Sequence, residues 1–140
     1  MSAPDNSSNP PSPMLKQLTP VLIVEAVEPC IKFWTDRLGF EVTNKVPDPD
    51  GNLIFASVQK GPIEIMYQTR ASVISEQQGV AGDLTGHSVA LFITVDDLDN
   101  VEKSLRGAPV VKPRHETFYG STEMYVKEPG GNTVGFAQFS

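Results

Sequence analysis

The sequence is poor in cysteine and in histidine. Its 140 residues include one cysteine, Cys30, and two histidines, His87 and His115. A single cysteine excludes an internal disulfide and a cysteine-based zinc cluster. Cys30 lies in the helical pattern EPCIKFW, which lacks the histidine partner of a nucleophilic thiol. We therefore predict that Cys30 is a packed thiol.

Positive charge and long apolar runs are also scarce. The chain has 11 Lys and Arg against 17 Asp and Glu, a net charge of −6, and its arginines are scattered along the sequence. Phosphate binding needs clustered cations, so a nucleic-acid partner is not expected. No apolar run approaches the roughly 20 residues of a membrane helix. The composition predicts a cytoplasmic protein with no membrane partner.

The length and composition predict one globular domain. An apolar content of 39% and a charged content of 20% are typical of soluble domains, and 140 residues are too few for two independent cores. The opening MSAPDNSSNPPSPM has four prolines and no apolar segment. We predict a disordered tail over residues 1–14 and a single domain over residues 15–140.

The chain repeats one pattern of predicted elements. A strand, LTPVLIVEA, and a helix, VEPCIKFWTDRLG, are followed by three strand-like runs that end at PIEIMYQ. After a polar segment over residues 69–85, HSVALFITV restarts the same order with a spacing of about 71 residues. The sequence thus predicts an α+β fold of two tandem βαβββ modules, at about 17–68 and 87–139.

One helix covers one face of each predicted four-stranded sheet, so the opposite faces should form a curled mixed sheet around a cavity, with the helices outside. Alternation along the strands assigns the side chains to the two faces. The residues predicted to face the cavity are Thr19, Val21, Ile23, Phe55, Ser57, Glu64, Met66, Gln68, Ser88, Ala90, Phe92, Thr94, Glu123, Tyr125, Thr133, Gly135 and Ala137.

The doubled unit opens with LTPVLIVEAVEPCIKFWTDRLGFEV and closes with KEPGGNTVGF. It resembles the glyoxalase, bleomycin-resistance and extradiol-dioxygenase superfamily, also called vicinal oxygen chelate, over residues 17–139. Members of this superfamily include isomerases, dioxygenases, epimerases and drug-binding proteins, so the fold alone does not name a chemistry. The similarity to the bleomycin-resistance branch implies a homodimer.

The resemblance also implies where a metal would bind. Metal-dependent members take His or Gln from the first strand of each unit and Glu from the fourth, because divalent ions need imidazole nitrogen or carboxylate oxygen. The matching positions here are Thr19, Glu64, Ala90 and Gly135. Of these, only Glu64 is a strong ligand. The expectation is that the protein uses no metal or other cofactor.

Several side chains have two interpretations each. Glu64, on an apolar wall, is either a structural partner of a Thr, Tyr or Arg or the anchor of a ligand. Tyr119 either stacks on a planar ligand or packs over the sheet edge. His115, in a connection that arches over the cavity mouth in this fold, is a candidate base or ligand contact, or is merely solvated. His87 is expected at a strand edge. The predicted ligand-binding residues are Phe55, Glu64, Met66, Phe92, Tyr119, Glu123 and Tyr125, and no catalytic residue is assigned.

The sequence favours a metal-independent protein that sequesters a planar or cationic drug-like small molecule, as in antibiotic resistance. The alternative is a lyase or isomerase of the same superfamily that uses Glu64 or His115 as acid or base. A third hypothesis is a regulatory or immunity module that binds a partner protein.

Overall fold

A computed structural model describes residues 17–76 and 89–140. The predicted tail and His87 lie outside these residues. The first module comprises β1 (Val21–Val24), α1 (Glu28–Lys32), β2 (Glu41–Pro47), β3 (Leu53–Lys60), β4 (Ile63–Thr69) and α2 (Arg70–Glu76). A π-helical segment, Phe33–Arg37, continues α1. The second module comprises β5 (Ala90–Thr94), α3 (Leu98–Ser104), β6 (Val110–Glu116), β7 (Ser121–Lys127) and β8 (Thr133–Phe139).

Both sheets have the same strand order. The first runs β1-β4-β3-β2 and the second β5-β8-β7-β6. In each sheet the first and fourth strands are parallel, and the other neighbours are antiparallel. The predicted α+β fold of two tandem βαβββ modules is therefore confirmed.

Local chemistry explains where α1 begins, where its helical segment ends and where α3 begins. Pro29 lies in the first turn of α1, where the missing backbone N–H removes no helical hydrogen bond. The helical segment stops at Gly39, which has a φ of 73°. Asp97 caps α3 by accepting a hydrogen bond from the Asn100 backbone N–H at 3.2 Å.

A single hydrophobic core joins the two modules. It contains Leu22, Trp34 and Tyr67 from the first module and Leu98 and Phe136 from the second. Leu22, Tyr67 and Phe136 lie on the sheet faces that pack against the helices, and the opposite faces of the two sheets carry exposed side chains such as Val21 and Phe92. We call these opposite faces the open faces.

A buried polar chain connects the modules. Trp34 Nε1 donates to the Tyr67 hydroxyl at 2.8 Å, and that hydroxyl donates to Glu128 Oε2 at 2.5 Å. Glu128 Oε1 accepts from the Asn132 backbone N–H at 2.7 Å. Burial and the neighbouring Glu128 raise the pKa of Tyr67. They also raise that of the buried Cys30 thiol, which stays protonated, as predicted for a packed thiol.

The polar segment over residues 69–85 begins at the last residue of β4 and continues as α2, and its residues 77–85 lie outside the described part of the chain. One local prediction was wrong. His115 lies on β6, opposite Glu123, and not in a connection. Pro113 did not end β6, because this strand is at the edge of its sheet, where a missing N–H is tolerated. Within the described residues no helix is long and apolar enough to cross a membrane.

Candidate ligand-binding site

The open faces carry aromatic and aliphatic side chains that the described residues leave exposed or only half-buried. Phe92 is 51% exposed and Val21 is 46% exposed, whereas Phe55, Met66 and Tyr125 are half-buried. The strand partners place these residues on the side opposite the core, as alternation predicts. An apolar surface of this kind is suited to a ligand or to a partner.

A groove of about 420 Å³, which we call the junction groove, is lined by residues of both modules. Glu64 of β4 lines it together with Phe92 and Thr94 of β5. A first-module carboxylate and a second-module aromatic ring thus share one surface.

Glu64 is held by an amide. Gln17 Nε2 donates to Glu64 Oε1 at 3.1 Å and to Thr19 Oγ1 at 2.9 Å. The carboxylate is half-buried, and its partner is neither the Tyr nor the Arg considered from the sequence. Sequence reasoning missed Gln17, although its two-residue spacing from Thr19 is a signal for the same face of an extended chain.

In the second module, the carboxylate of Glu123 is 1% exposed. Its Oε1 accepts from the Tyr125 hydroxyl at 2.8 Å, and its Oε2 accepts from the Tyr119 and Ser121 hydroxyls, each at 2.7 Å. Burial alone would raise the pKa of Glu123, but these hydrogen bonds outweigh it and hold the pKa below its ordinary value. We refer to Tyr119, Ser121, Glu123 and Tyr125 as the tyrosine–glutamate cluster.

The two phenols of the cluster stay protonated. Burial and the hydrogen bond to Glu123 raise the pKa of Tyr125 to about 12. The hydrogen bond to Glu123 also raises the pKa of Tyr119. At neutral pH the cluster therefore combines a charged carboxylate with neutral hydroxyl donors.

The ring of Tyr125 lies over Gly135. A Cβ atom added to Gly135 would be 2.3 Å from Tyr125 Cε2, a distance that real Cβ contacts do not show. Phe92 lies opposite Gly135 on the other side, in β5. Phe92, Gly135 and Tyr125 thus form one row across the second sheet, in which only a glycine leaves room for the ring.

His115 borders the same cluster. Its ring stacks on that of Tyr125, with centroids 6.2 Å apart and an interplanar angle of 20°. His115 Nδ1 is 2.8 Å from the Pro113 carbonyl oxygen. Because a carbonyl only accepts, Nδ1 carries the proton and Nε2 is the acceptor nitrogen of the neutral ring.

The positions that would hold a metal do not form a ligand set. Thr19 and Glu64 are joined through Gln17, but Ala90 lies opposite Thr133, while Gly135 lies opposite Phe92. Among residues 17–76 and 89–140, no group of three or more His, Cys, Asp or Glu side chains is arranged to hold a metal ion. Of these four positions only Glu64 offers a strong ligand, so this set of residues does not fit a divalent metal.

The seven predicted ligand-binding residues fall into three groups. Tyr119, Glu123 and Tyr125 are directly hydrogen bonded. Glu64 and Phe92 line the junction groove. Phe55 and Met66 lie on neighbouring strands of the first sheet. Ser121 was missed, although its spacing from Glu123 places it on the same face.

Two βαβββ modules with uncovered sheet faces define a glyoxalase-type fold. The profile of the Glyoxalase/Bleomycin resistance protein/Dioxygenase superfamily matches residues 16–136, so the chain belongs to this superfamily.

Sequence identity to individual relatives is low. Protein Mb0911c of Mycobacterium bovis, itself uncharacterized, is 26% identical over 124 residues, which cover 86% of this chain and 82% of the relative. The crystal structure of TioX from Micromonospora sp. ML1 is similar with a TM-score of 0.73 at 16% identity, covering 89% of this chain and 99% of TioX. Lactoylglutathione lyase from Agrobacterium tumefaciens gives 0.68 at 20% identity, with 92% and 95% covered. Such likenesses show the fold and not the ligand.

Proposed function

We propose that this protein is a metal-independent small-molecule-binding protein that sequesters a planar, cationic, drug-like compound without transforming it. The ring of Tyr125 carries this proposal. It occupies the space that a fourth-strand glutamate would need at Gly135. An aromatic surface therefore replaces a metal ligand in the second module.

The character of the surrounding surface supports a flat cation. Phe92, His115 and Tyr125 supply ring faces on the open side, and such rings attract planar groups and cations. Glu64 contributes a half-buried carboxylate to the adjoining groove. The net charge of −6 favours the approach of a cation.

We also propose that the working form is a cytoplasmic homodimer with a role in drug or antibiotic resistance. The uncovered apolar side chains of the open faces, including Val21 and Phe92, support a second copy as their partner. Sedimentation analysis tests the dimer, and a monomer at every concentration would contradict it.

Proflavine, a planar dye cation, tests the binding proposal. Protein dialysed against a chelator should bind proflavine, and mass spectrometry should recover the dye unchanged. Glu64→Gln, which keeps the shape and removes the charge, should weaken binding by about 2–4 kcal/mol. Retention of about one divalent metal ion per chain after dialysis, shown by elemental analysis, would contradict metal independence.

One observation favours a second function, a lyase or isomerase that uses His115 as its base. The Pro113 carbonyl fixes the His115 tautomer, and the ring is half-buried beside Tyr125. An oriented imidazole of this kind is suited to proton transfer. Turnover of a bound compound that His115→Ala abolishes would favour this function over sequestration.

A further inference from the structure

The tyrosine–glutamate cluster has a fixed hydrogen-bond direction. Both carboxylate oxygens of Glu123 accept, and Tyr119 and Tyr125 each direct their single hydroxyl hydrogen towards them. A hydroxyl has one hydrogen to donate and two lone pairs that accept. Once the hydrogen points at Glu123, each phenol can offer a ligand only acceptor capacity.

Burial makes this direction hard to reverse. Glu123 is 1% exposed, so water cannot replace a hydroxyl that turns away. A ligand that required a hydrogen from Tyr119 or Tyr125 would leave part of a buried carboxylate without a donor, which is unfavourable. Tyr119 is 50% exposed, so a ligand can contact this residue directly.

We propose that the tyrosine–glutamate cluster makes the site selective for planar compounds that donate hydrogen bonds through amine or amidine N–H groups, and that it disfavours compounds presenting a carboxylate or phosphate. This inference rests on the proposed function and names its ligand class. Glu123 acts as a positioning residue, because it contacts the ligand only through the two phenols.

Two neighbouring groups bear on the charge of this surface. His115 lies opposite Glu123, and the exposed Lys112 lies opposite Tyr125. Lys112 would attract an anion, so it competes with the selectivity proposed for the phenols. Lys112→Ala is therefore the matched control, and it should increase the preference for a cation.

The test compares naphthamidine with naphthoate, substituted at the same ring position, by isothermal titration calorimetry. The two probes share a flat two-ring framework, but one carries an N–H-donating amidinium and the other a carboxylate. Naphthamidine should bind at least about tenfold more tightly. N-methylquinolinium, a flat cation without N–H groups, should bind more weakly than naphthamidine, which separates donor capacity from charge.

Glu123→Gln should reduce the preference between the two naphthyl probes to about threefold or less, because the new amide donates to one phenol and turns that hydroxyl outwards. The same variant should ionise its tyrosines at lower pH, measured by phenolate absorbance. A purely steric role of Glu123 would not move that titration. If Glu123→Gln does not fold, Tyr119→Phe keeps the ring and should weaken naphthamidine alone.

The outcomes separate the two proposals. Equal or tighter binding of naphthoate would overturn the polarity inference and leave small-molecule binding intact. Equal binding of N-methylquinolinium and naphthamidine would show that charge alone selects, and would also overturn the inference. Failure of proflavine and of all three probes to bind at about millimolar concentration would overturn the proposed function together with the inference that rests on it.

Discussion

In the first module the carboxylate of Glu64 is half-buried and receives one amide hydrogen bond from Gln17, whereas in the second module the carboxylate of Glu123 is buried beneath three hydroxyl groups. Glu64 lies on the fourth strand of its sheet and Glu123 on the third. The same strand order thus supports an accessible acid in one module and a concealed one in the other.

The turns before the fourth strands also differ in burial between the two modules. Glu128, in the second-module turn, is buried and hydrogen bonded to Tyr67. A Cβ atom added to Gly130, in the same turn, would lie 2.6 Å from Val24 Cγ1 of the first module. The first-module turn at Gly61 is exposed. The EPGGN motif, residues 128–132, therefore contributes to the packing of one module on the other. Its presence does not predict an acidic residue on the strand that follows.

The largest effect on stability is expected when the buried second-module turn loses the carboxylate of Glu128. Glu128→Ala should lower the free energy of unfolding by about 3 kcal/mol, because it leaves the Tyr67 hydroxyl and the Asn132 amide buried without their acceptor. Chemical denaturation measures this change. The control is Gln59→Ala beside the exposed first-module turn, with an expected cost of about 0.5 kcal/mol or less. Equal costs would show that the two turns are energetically alike.

A smaller effect should follow when a methyl group is added between Phe92 and Tyr125. Gly135→Ala should cost about 2 kcal/mol, since the Tyr125 ring must move away from the new Cβ. In a Tyr125→Ala background the same change should cost much less, and this double-mutant cycle isolates the contact. An unchanged cost in that background would place the strain elsewhere.

The register of the parallel strand pairs makes a third difference between the modules. Under the 71-residue spacing Phe92 corresponds to Val21, but Val21 lies opposite Met66, while Phe92 lies opposite Gly135, the counterpart of Glu64. The two ladders differ by two residues. The first-strand position opposite Gly135, from which an engineered ligand would be nearest to it, is therefore Phe92 and not Ala90.

Engineered ligands test this register. In a Thr19→His, Gly135→Glu, Tyr125→Ala background, the further change Phe92→His should bind Ni²⁺ at least about tenfold, or 1.4 kcal/mol, more tightly than Ala90→His does. Calorimetry compares the two variants. The control restores Tyr125, whose ring should prevent the Glu side chain from reaching a metal. Tighter binding with Ala90→His would contradict the observed register.

The sequence was sufficient to predict the doubled fold and the direction of most side chains. Both properties depend on hydrophobic periodicity, which is local and strong in this chain. The Tyr125–Gly135 contact joins residues on different strands, and the hydrogen bonds of Glu123 depend on side-chain rotamers, so neither could be predicted from the sequence. The two-residue register difference was missed for a similar reason: equal spacing along the chain does not determine which residues lie opposite each other. His115 was misplaced in a connection because the preceding Pro113 favours the end of a strand, although it is tolerated in the edge strand β6.

The smallest expected effect concerns the pH dependence contributed by the concealed acid. Hydrogen bonds hold the pKa of Glu123 below its ordinary value of 4.5 in the folded protein. The carboxylate therefore stabilises the fold fully above that value, and this contribution is lost as the pH falls through the folded-state pKa. Glu123→Gln cannot titrate, so the gap in unfolding free energy between wild type and this variant should be widest near neutral pH and should shrink below about pH 4. Denaturation of both proteins across this range measures the gap.

Two variants serve as controls for this prediction. Tyr119→Phe, which removes one of the three hydroxyl donors, should remove only part of the stability difference. At neutral pH Glu64→Gln should cost less than Glu123→Gln, because Glu64 is half-buried and receives one amide donor. A gap that stays constant with pH would mean that the hydroxyl donors do not stabilise the charged form, and the contrast between the accessible and the concealed acid would then rest on packing alone.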